Sequence, residues 1–529
     1  MKNHSTCLKF KVNTMYHSHC KFTVSLFLFA GLILISAIGS SKNVNITAFG
    51  AVGNGKFLNT TAFRNAIDTC HFTGGGTVTV PQGIFKTGTI VMRSDVNLYL
   101  EPGAVILGSP DLKDYFLHNE KVGLIWCENA QNVSITGLGT IDGNGDVFMN
   151  LKEFKKINAE GSQYSRQKDQ FRVKNGVPQD GPVVPLERPN QMIIFSNCLN
   201  VTIRDVVIVN SPYWTLHLAD VDGGVISGVK IYNNLMVPNN DGIDLTSCSN
   251  INVSDCDIRG GDDGFAITGY SHHFDLAGYK NIVHPSKNIN VSNCNIVSRS
   301  SGIRIGGWDQ NHMSNYNFSN INISNSNRGI VLTVRDSGSI SDMHFQNINI
   351  ETRLHTGDWW GNGEPIQVAV IRGTPDVPLG NIKNVYFSNI IAKSEAGIVV
   401  WSGEESEIEN LQFRDVFLKI NNGPMNDCAG GNFDLRPVSD PKYSLFEHEI
   451  PGFYARGVKD LAIQNFRLEW DNQLQPFFTF GIEVDGFNGL SIFDFNGTAA
   501  PSNPQLPSVM LRNGKGFRSN LDKTKYKTD

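Results

Sequence analysis

Two adjacent aspartates, Asp262 and Asp263, lie in the stretch RGGDDGFAI at residues 259–267. Like charges this close raise the pKa of at least one carboxyl, which places a protonated acid beside an ionised one, as general acid–base catalysis requires. A third carboxyl, Asp241, precedes Asp263 by 22 residues in a similar context, DGIDL. The alternatives are that each aspartate caps its own turn or that the group binds a metal ion.

The elements that must position these acids repeat along the chain. Residues 250–267 (NINVSDCDIRGGDDGFAI) align with 288–305 (NINVSNCNIVSRSSGIRI) at a constant offset of 38 residues. Weaker copies are short strands with alternating apolar residues, and several neighbours are separated by 24 to 26 residues. Such strands, without helical segments between them, predict an all-β, single-domain parallel β-helix. A β-sandwich is the alternative, which near-identical repeats disfavour.

A shared pattern within the repeats predicts where the acids meet. Five segments read variable, Gly, apolar, variable, apolar: DGIDL (241–245), DGFAI (263–267), SGIRI (301–305), RGIVL (328–332) and AGIVV (396–400). Stacked coils lie about 4.8 Å apart, so Asp241 is expected beside Asp262 and Asp263 on the outside of the solenoid. We attribute the glycines to a backbone bend that lets these side chains share one cleft. Three carboxylates in stacked coils favour catalysis over turn capping.

The composition of the whole chain limits the classes of function. The chain has 529 residues and a net charge of −5, which is too mild and too mixed to indicate nucleic-acid binding. Within residues 1–40, lysines precede an apolar run from Phe22 to Ile38, the order of a secretory signal peptide, with a signal anchor as the alternative. We predict cleavage near 39–41 and a secreted, monomeric protein of the extracellular space or cell wall, without a membrane partner after cleavage.

The remaining chain, residues 41–529, is predicted to form the β-helix domain. Opening coils and an N-terminal cap are expected in 41–120, and closing coils and a C-terminal tail in 420–529. The last stretch, from Arg512 onward, is polar and basic, and we expect it to fray.

Asparagine triplets and cysteines bear on the compartment. Seven cysteines follow residue 40, an odd number that leaves at least one thiol unpaired, and none has zinc-site spacing. Nine Asn-x-Ser/Thr triplets fit a glycosylated, secreted chain, although Asn-rich turns also produce such triplets by chance. These triplets begin at Asn45, Asn59, Asn132, Asn200, Asn252, Asn290, Asn317, Asn322 and Asn496.

Three stretches resemble motifs of one enzyme family. NSPYWTLHL (210–218), VPNNDGIDL (237–245) and GGDDGFAI (260–267) are similar to the Asn-Ser-Pro-x-Trp, Asn-Thr-Asp-Gly-Ile-Asp and Gly-Asp-Asp motifs of glycoside hydrolase family 28, the polygalacturonase family. The stretch that begins FGAVGNG at residue 49 is similar to the opening coils of its pectin-lyase-like superfamily. The chain thus resembles a divergent, plant-type member, and the resemblance implies a right-handed parallel β-helix.

The resemblance also implies a mechanism, inverting hydrolysis of a pectic polysaccharide without metal or organic cofactor. By position, Asp262 would be the general acid that protonates the glycosidic oxygen, while Asp241 and Asp263 would hold and deprotonate the attacking water. Inverting sites commonly separate their carboxyls by about 6.5–9.5 Å, to admit that water, and acids one coil apart are expected to reach this separation.

Departures from the family pattern affect the substrate. Ser301 stands where the family has the histidine of Gly-His-Gly, and Val331 and Thr333 replace the arginine and lysine that grip a substrate carboxylate. The family's cysteine after Gly-Asp-Asp is replaced by Gly264, so Cys256 loses that partner. A substituted galacturonan or a rhamnose-containing pectin is therefore as compatible as plain polygalacturonan.

Several residues are candidates for substrate binding. Arg304 could replace the missing clamp, because a guanidinium binds a carboxylate in bidentate fashion; the alternative is that it pairs with Asp244. Trp359 and Trp360 could stack on a sugar or pack on their own loop, and Glu364 could be a fourth acid at the cleft rim. The remaining candidates are Asn239, Ser301, Arg335 and His272, or its neighbour His273, whereas His217 is expected to pack against a neighbouring coil.

Two other functions remain open. A polysaccharide lyase of the same fold would use the three aspartates to bind calcium and would release an unsaturated product that absorbs ultraviolet light. A non-catalytic carbohydrate-binding protein would explain the missing clamp, but a binder of anionic pectin gains nothing from clustered negative charge.

Overall fold

A computed structural model of the chain describes residues 42–157, 159–269, 284–308, 311–373, 376–403, 407–438 and 440–529. The predictions made for residues 1–40 and for His272 and His273 lie outside the described residues. Residues 42–529 form one compact unit. Within the described part of the chain, no helix combines the length and the apolar character needed to cross a membrane.

The unit is a right-handed parallel β-helix, so the predicted all-β solenoid is confirmed. Parallel strands of successive coils pair in register and form three faces. The face that carries the acids, called the site face here, contains Ile90–Val91, Ile125–Glu128, Ile193–Ser196, Leu216–Ala219, Ile243–Thr246, Phe265–Thr268, Ser301–Trp308, Arg328–Arg335, Ile366–Ile371 and Ile398–Ser402.

The other two faces complete each coil. The second face contains Lys42–Asn45, Gly76–Val80, Val96–Leu100, Gln131–Gly137, Leu199–Arg204, Asp222–Ser227, Ser249–Ser254 and Ser286–Ser292. The third face contains Gly83–Thr87, Ala104–Gly108, Thr140–Asp142, Val207–Val209, Lys230–Tyr232, Asp257–Gly260 and Asn295–Ser298. In later coils, longer strands continue round the corners: His312–Ser326, Ser339–Thr352, Asn381–Ser394, Glu407–Ile420, Phe453–Trp470, Ile482–Phe493, Val509–Ser519 and finally Tyr526–Thr528.

Small elements decorate the solenoid. Three short antiparallel pairs are Phe116–Leu117 with Glu120–Lys121, Met149–Phe154 with Val183–Pro185, and Asn432–Asp434 with Leu445–Glu447. The α-helices are Thr60–Phe72, Ala159–Ser162 and Pro441–Ser444, and the 3-10 helices are Ile46–Phe49, Leu112–Tyr115, Gly145–Phe148 and Lys168–Gln170. The helix Thr60–Phe72 buries Phe63 and Ile67 against the first strands and thereby caps them.

Repetition in the sequence becomes stacking in the fold. The offset of 38 residues is the coil spacing, since Asn252 pairs with Asn290 and Val253 with Val291. Inside, Phe345 stacks on Phe318 and on Phe387 with ring centroids 4.9 Å apart. Outside, asparagine amides donate from coil to coil. These ladders satisfy side-chain polar groups at each turn while the apolar positions fill one continuous core.

The expectation that the chain frays from Arg512 onward was wrong. Rather than fraying, Val509–Ser519 and Tyr526–Thr528 continue the solenoid as paired strands, and Tyr526 packs on Phe517 with ring centroids 5.3 Å apart. Backbone pairing with the preceding coil outweighs the polar composition, because each added strand completes the hydrogen bonds of its neighbour.

The structure sorts the predicted glycosylation sites. Asn59 is fully buried, and its amide donates to the carbonyl oxygens of Val52, Phe57 and Lys86, so this residue cannot carry a glycan in the folded protein. Others, such as Asn290, donate their amide to the ladder. All seven cysteines from Cys70 onward are described, and each is a buried free thiol, including Cys256.

Candidate active site

The solenoid brings the three predicted acids together. Backbone pairing stacks their coils, because the N–H of Gly242 donates to the carbonyl of Asp263 at 2.9 Å and the N–H of Gly264 donates to Ser301 at 2.9 Å. One carboxylate oxygen from each of Asp241, Asp262 and Asp263 lies within 4.8 Å of the other two. All three line a pocket of about 320 Å³ on the outside of the site face.

The glycines beside the acids have a different role from the one expected. Their φ angles are not in the left-handed region, so no special bend requires them. Instead, a Cβ at Gly264 would lie 2.4 Å from Cγ2 of Ile296 and 2.7 Å from the carbonyl oxygen of Gly302. The glycines therefore let successive coils turn the corner tightly under the acids.

Asp262 is held in place by backbone donors. Its Oδ2 accepts the N–H of Asn239 at 3.0 Å and its Oδ1 accepts the N–H of Asp263 at 3.1 Å. Burial, together with the adjacent charge of Asp263, raises the pKa of Asp262 to about 6. A carboxyl with this pKa remains partly protonated in mildly acidic solution, as a general acid must be.

Asp241 and Asp244 are deeply buried acids of the pocket. Each is 3% exposed, and each has one carboxylate oxygen without a hydrogen-bond partner among the described residues. Burial raises the pKa of both well above the usual value, and for Asp241 the charge of Asp262 adds to this effect. Both unpartnered oxygens are themselves buried, which contributes to the raised pKa of these carboxyls.

Asp263 is fixed by donors on both carboxylate oxygens. Its Oδ1 accepts the N–H of Ser301 at 3.0 Å, and its Oδ2 accepts Nε of Arg304 in a short ion pair. Arg304 also donates to the carbonyl oxygen of Gly306 at 2.6 Å. Asp244, the other partner expected for Arg304, lies two coils away in the same row, with Ala266 between them. The positive charge of Arg304 lowers the pKa of Asp244 and so offsets part of the increase that burial causes.

The predicted substrate-binding residues divide into two groups. Asn239, Arg304 and Trp359 line the pocket. Ser301 and Arg335 do not: the side chain of Ser301 is fully buried and supports Asp263 through its backbone, while Nη1 of Arg335 donates to the carbonyl of Pro437 at 3.4 Å. A direct contact of Ser301 with substrate is therefore not supported, because the neighbouring coils cover it.

Two further expectations can be compared with the structure. His217 packs against its neighbours as expected, since it is fully buried, contacts Trp214 edge-on and bonds to Oγ1 of Thr246 at 3.0 Å. Glu364 is not at the cleft rim. It is 2% exposed behind the pocket wall, and burial raises its pKa to about 7.

Sequence reasoning missed several residues of the site. Tyr213 and Trp214 line the pocket with their rings stacked 5.5 Å apart, and Arg188 lies over Tyr213 at 4.6 Å while donating to Oδ1 of Asn239 at 2.8 Å. Arg188 thus positions the residue that holds Asp262. The NSPYW motif was the available signal for the aromatic pair, whereas nothing in the sequence around Arg188 indicates its partner.

Comparison with known proteins tests the family. The sequence model of the family described as "Glycosyl hydrolases family 28" matches residues 70–433, which is more than half of the chain. The chain belongs to glycosyl hydrolase family 28. The predicted membership is therefore confirmed, and both aspartate motifs lie within the matched range.

Curated relatives of this family 28 chain are distant. An "Exo-poly-alpha-D-galacturonosidase" of Dickeya chrysanthemi is 29% identical over 42% of this chain and 41% of its own length. A "Probable polygalacturonase" of Vitis vinifera is 25% identical over 43% of this chain and 44% of its own. The chain thus aligns with less than half of the length of these curated relatives.

Solved structures share the fold over a longer range. An exopolygalacturonase from Thermotoga maritima superposes with a TM-score of 0.58 at 22% identity, covering 81% of this chain and 92% of that one. A polygalacturonase from Erwinia carotovora ssp. carotovora gives 0.50 at 19% identity, covering 72% and 93%. At these identities the likeness shows the β-helix fold alone.

Proposed function

We propose that this family 28 protein is a secreted, inverting glycoside hydrolase that cleaves glycosidic bonds in a pectic cell-wall polysaccharide. The observation that carries the proposal is the convergence of Asp241, Asp262 and Asp263 in one pocket. The relatives, a galacturonosidase of a bacterium and a probable polygalacturonase of a plant by name, support the pectic substrate.

In the proposed mechanism Asp262 is the general acid. It donates its proton to the glycosidic oxygen as the C–O bond breaks, while a water held by Asp241 and Asp263 attacks the anomeric carbon and gives up a proton to them. Ser301 N–H and Arg304 orient Asp263. No cofactor takes part in these steps.

The carboxyl separation bears on the stereochemistry. One oxygen of each carboxyl lies within 4.8 Å of the other two, whereas inverting enzymes commonly separate their carboxyl groups by about 6.5–9.5 Å. Attack by water is nevertheless supported over attack by a carboxylate. Asp263 is fixed by donors on both oxygens, which restrains it from moving onto the anomeric carbon as a nucleophile.

A panel of substrates tests the proposal. The purified protein is incubated with polygalacturonan, substituted galacturonan and rhamnose-containing pectin, and new reducing ends are measured, with the anomer that forms first identified by NMR. We expect reducing ends on at least one substrate, with inverted configuration. Correctly folded protein that releases none would overturn the enzyme proposal, and an ultraviolet-absorbing product abolished by a chelator would indicate the lyase instead.

Activity should fall as the pH rises above about 6. The general acid must hold its proton, and the pKa of Asp262 is about 6 in the folded protein, so kcat/KM should drop about tenfold for each further pH unit. The measurement is a pH profile of kcat/KM on the best substrate of the panel. A profile that stays flat to pH 8 would contradict the assignment of Asp262 as the acid.

Secretion is part of the proposal and rests on the basic-then-apolar order of residues 1–40. N-terminal sequencing of protein recovered from the medium of a eukaryotic expression host should start near residue 40. A protein that stays in the membrane fraction with residue 1 retained would instead support the signal anchor.

A further inference from the structure

The outward row of the site face is covered almost along its whole length. In register, this row contains Ile194, His217, Asp244, Ala266, Arg304, Val331, Gln367 and Val399. All except Arg304 are at most 4% exposed. An open groove that held an internal stretch of a polymer would leave such residues accessible on both sides of the acids.

Aromatic residues cover the row on the N-terminal side of the acids. Trp214 lies over His217, with ring centroids 5.3 Å apart, and Tyr213 is stacked between Trp214 and the guanidinium of Arg188. One coil earlier, Ile194 is buried in a cluster with Val122. The path along the helix axis is therefore closed below the acids.

A loop covers the row on the C-terminal side. Residues 356–362, called the wall loop here, lie on Arg328: a Cβ at Gly361 would approach Cγ of that side chain to 2.4 Å. The amide of Asn327 donates to the carbonyl of Trp360 at 2.6 Å, and Arg328 bonds in turn to Gln367 at 3.3 Å. Trp359 and Trp360 of this loop form one side of the pocket.

Two insertions support the wall loop from outside the solenoid. One contains Arg172 and lies between the strands Met149–Phe154 and Val183–Pro185, and the other contains Asp434 and lies between Glu407–Ile420 and Phe453–Trp470. Arg172 donates to the carbonyls of Gly357 at 3.2 Å and Trp359 at 2.5 Å, and to Oδ1 of Asn362 at 3.0 Å. From the other insertion, Oδ2 of Asp434 accepts the N–H of Gly361 at 2.6 Å. The wall is thus a hydrogen-bonded part of the fold, which a polymer could not displace without breaking buried bonds.

What remains is a pocket of about 320 Å³, at the lower limit for small-molecule sites. We propose that this site accepts the end of a polysaccharide chain and that the enzyme is exo-acting. The inference rests on the proposed function. At each cut, water adds across the first or second glycosidic bond from the chain end and releases a mono- or disaccharide, respectively, and a chain that is shorter by that unit.

The test compares viscosity with bond cleavage. The full protein is incubated with the polymer on which it releases most reducing ends, and early products are separated by chromatography. We expect mono- or disaccharide from the first time point, while the viscosity stays close to its starting value as reducing ends accumulate. A rapid fall in viscosity with mixed oligosaccharides would overturn exo action and leave the hydrolase proposal standing.

Oligosaccharides labelled at the reducing end provide a second readout. Labelled products that shorten one step at a time indicate attack at the non-reducing end. Immediate release of the label as a small sugar indicates attack at the reducing end, and either result supports exo action. Labelled fragments of intermediate length at the earliest times contradict the inference. Absence of any cleavage, on polymer and oligosaccharide alike, would instead contradict the proposed function.

Discussion

Replacing Asp262 by Asn is expected to lower kcat/KM by about 10³-fold while the fold is retained. The amide keeps the shape of the side chain, and its oxygen can still accept the N–H of Asn239, although its NH2 group no longer accepts the N–H of Asp263. It has no acidic proton to give to the leaving oxygen. The fall of kcat/KM above about pH 6 should also disappear in this variant, because the remaining rate no longer depends on a group whose pKa is about 6.

Stability separates this effect from misfolding. The folded-state pKa of Asp262, about 6, exceeds the usual aspartate value of about 3.9, so this carboxyl lowers the stability progressively between these two pH values, and the full cost is present at pH 7. The amide removes that penalty, and the melting temperature at pH 7 should not fall. Asp222→Asn is the control, since Asp222 is exposed on the second face and does not line the pocket. If both variants lose activity equally, Asp262 is not the general acid.

The repeats made the core and the acid column predictable. Because a coil buries its apolar face only against its neighbours, the letter-for-letter match at an offset of 38 residues already specified which side chains stack, and Asn252 does pair with Asn290. The stacking of Asp241 near Asp262 and Asp263 follows from the same register.

What the repeats could not predict is everything that stands on the solenoid. Loops between coils are not fixed by the repeat register. Nothing in the sequence therefore shows that Arg172 bonds to Gly357 of the wall loop, 185 residues further along the chain. The same limit explains Arg335, whose guanidinium donates to the carbonyl of the loop residue Pro437, and Glu364, which is buried rather than at the cleft rim.

The role of Ser301 shows a different limit. Its position in the column was correct, since it pairs with Arg328 in the next coil. The alignment could not show that the side chain of Ser301 is buried, or that its backbone N–H donates to Asp263. A column gives positions and not side-chain directions.

Replacing Arg172 by Met is expected to reduce the free energy of unfolding by about 3–5 kcal/mol, as when one partner of a buried ionic network is removed. The guanidinium is completely buried and lies 4.0 Å from Asp434, and its removal leaves carbonyls of the wall loop without their donor. Methionine preserves much of the apolar volume, so loss of the hydrogen bonds dominates the change. Chemical denaturation of both proteins gives the difference directly.

Lys174→Met is the matched control for this substitution. Lys174 lies two residues along the same insertion and pairs with Asp427 at 2.7 Å, but on the surface, where such pairs contribute about 0–1 kcal/mol. An equal loss in both variants would show that the insertion tolerates no change and that the buried network has no special role. If Arg172 holds the wall as the contacts indicate, a loosened wall should admit internal stretches of the polymer. With the Arg172 variant alone, the viscosity of the polymer solution should therefore fall further for each reducing end released.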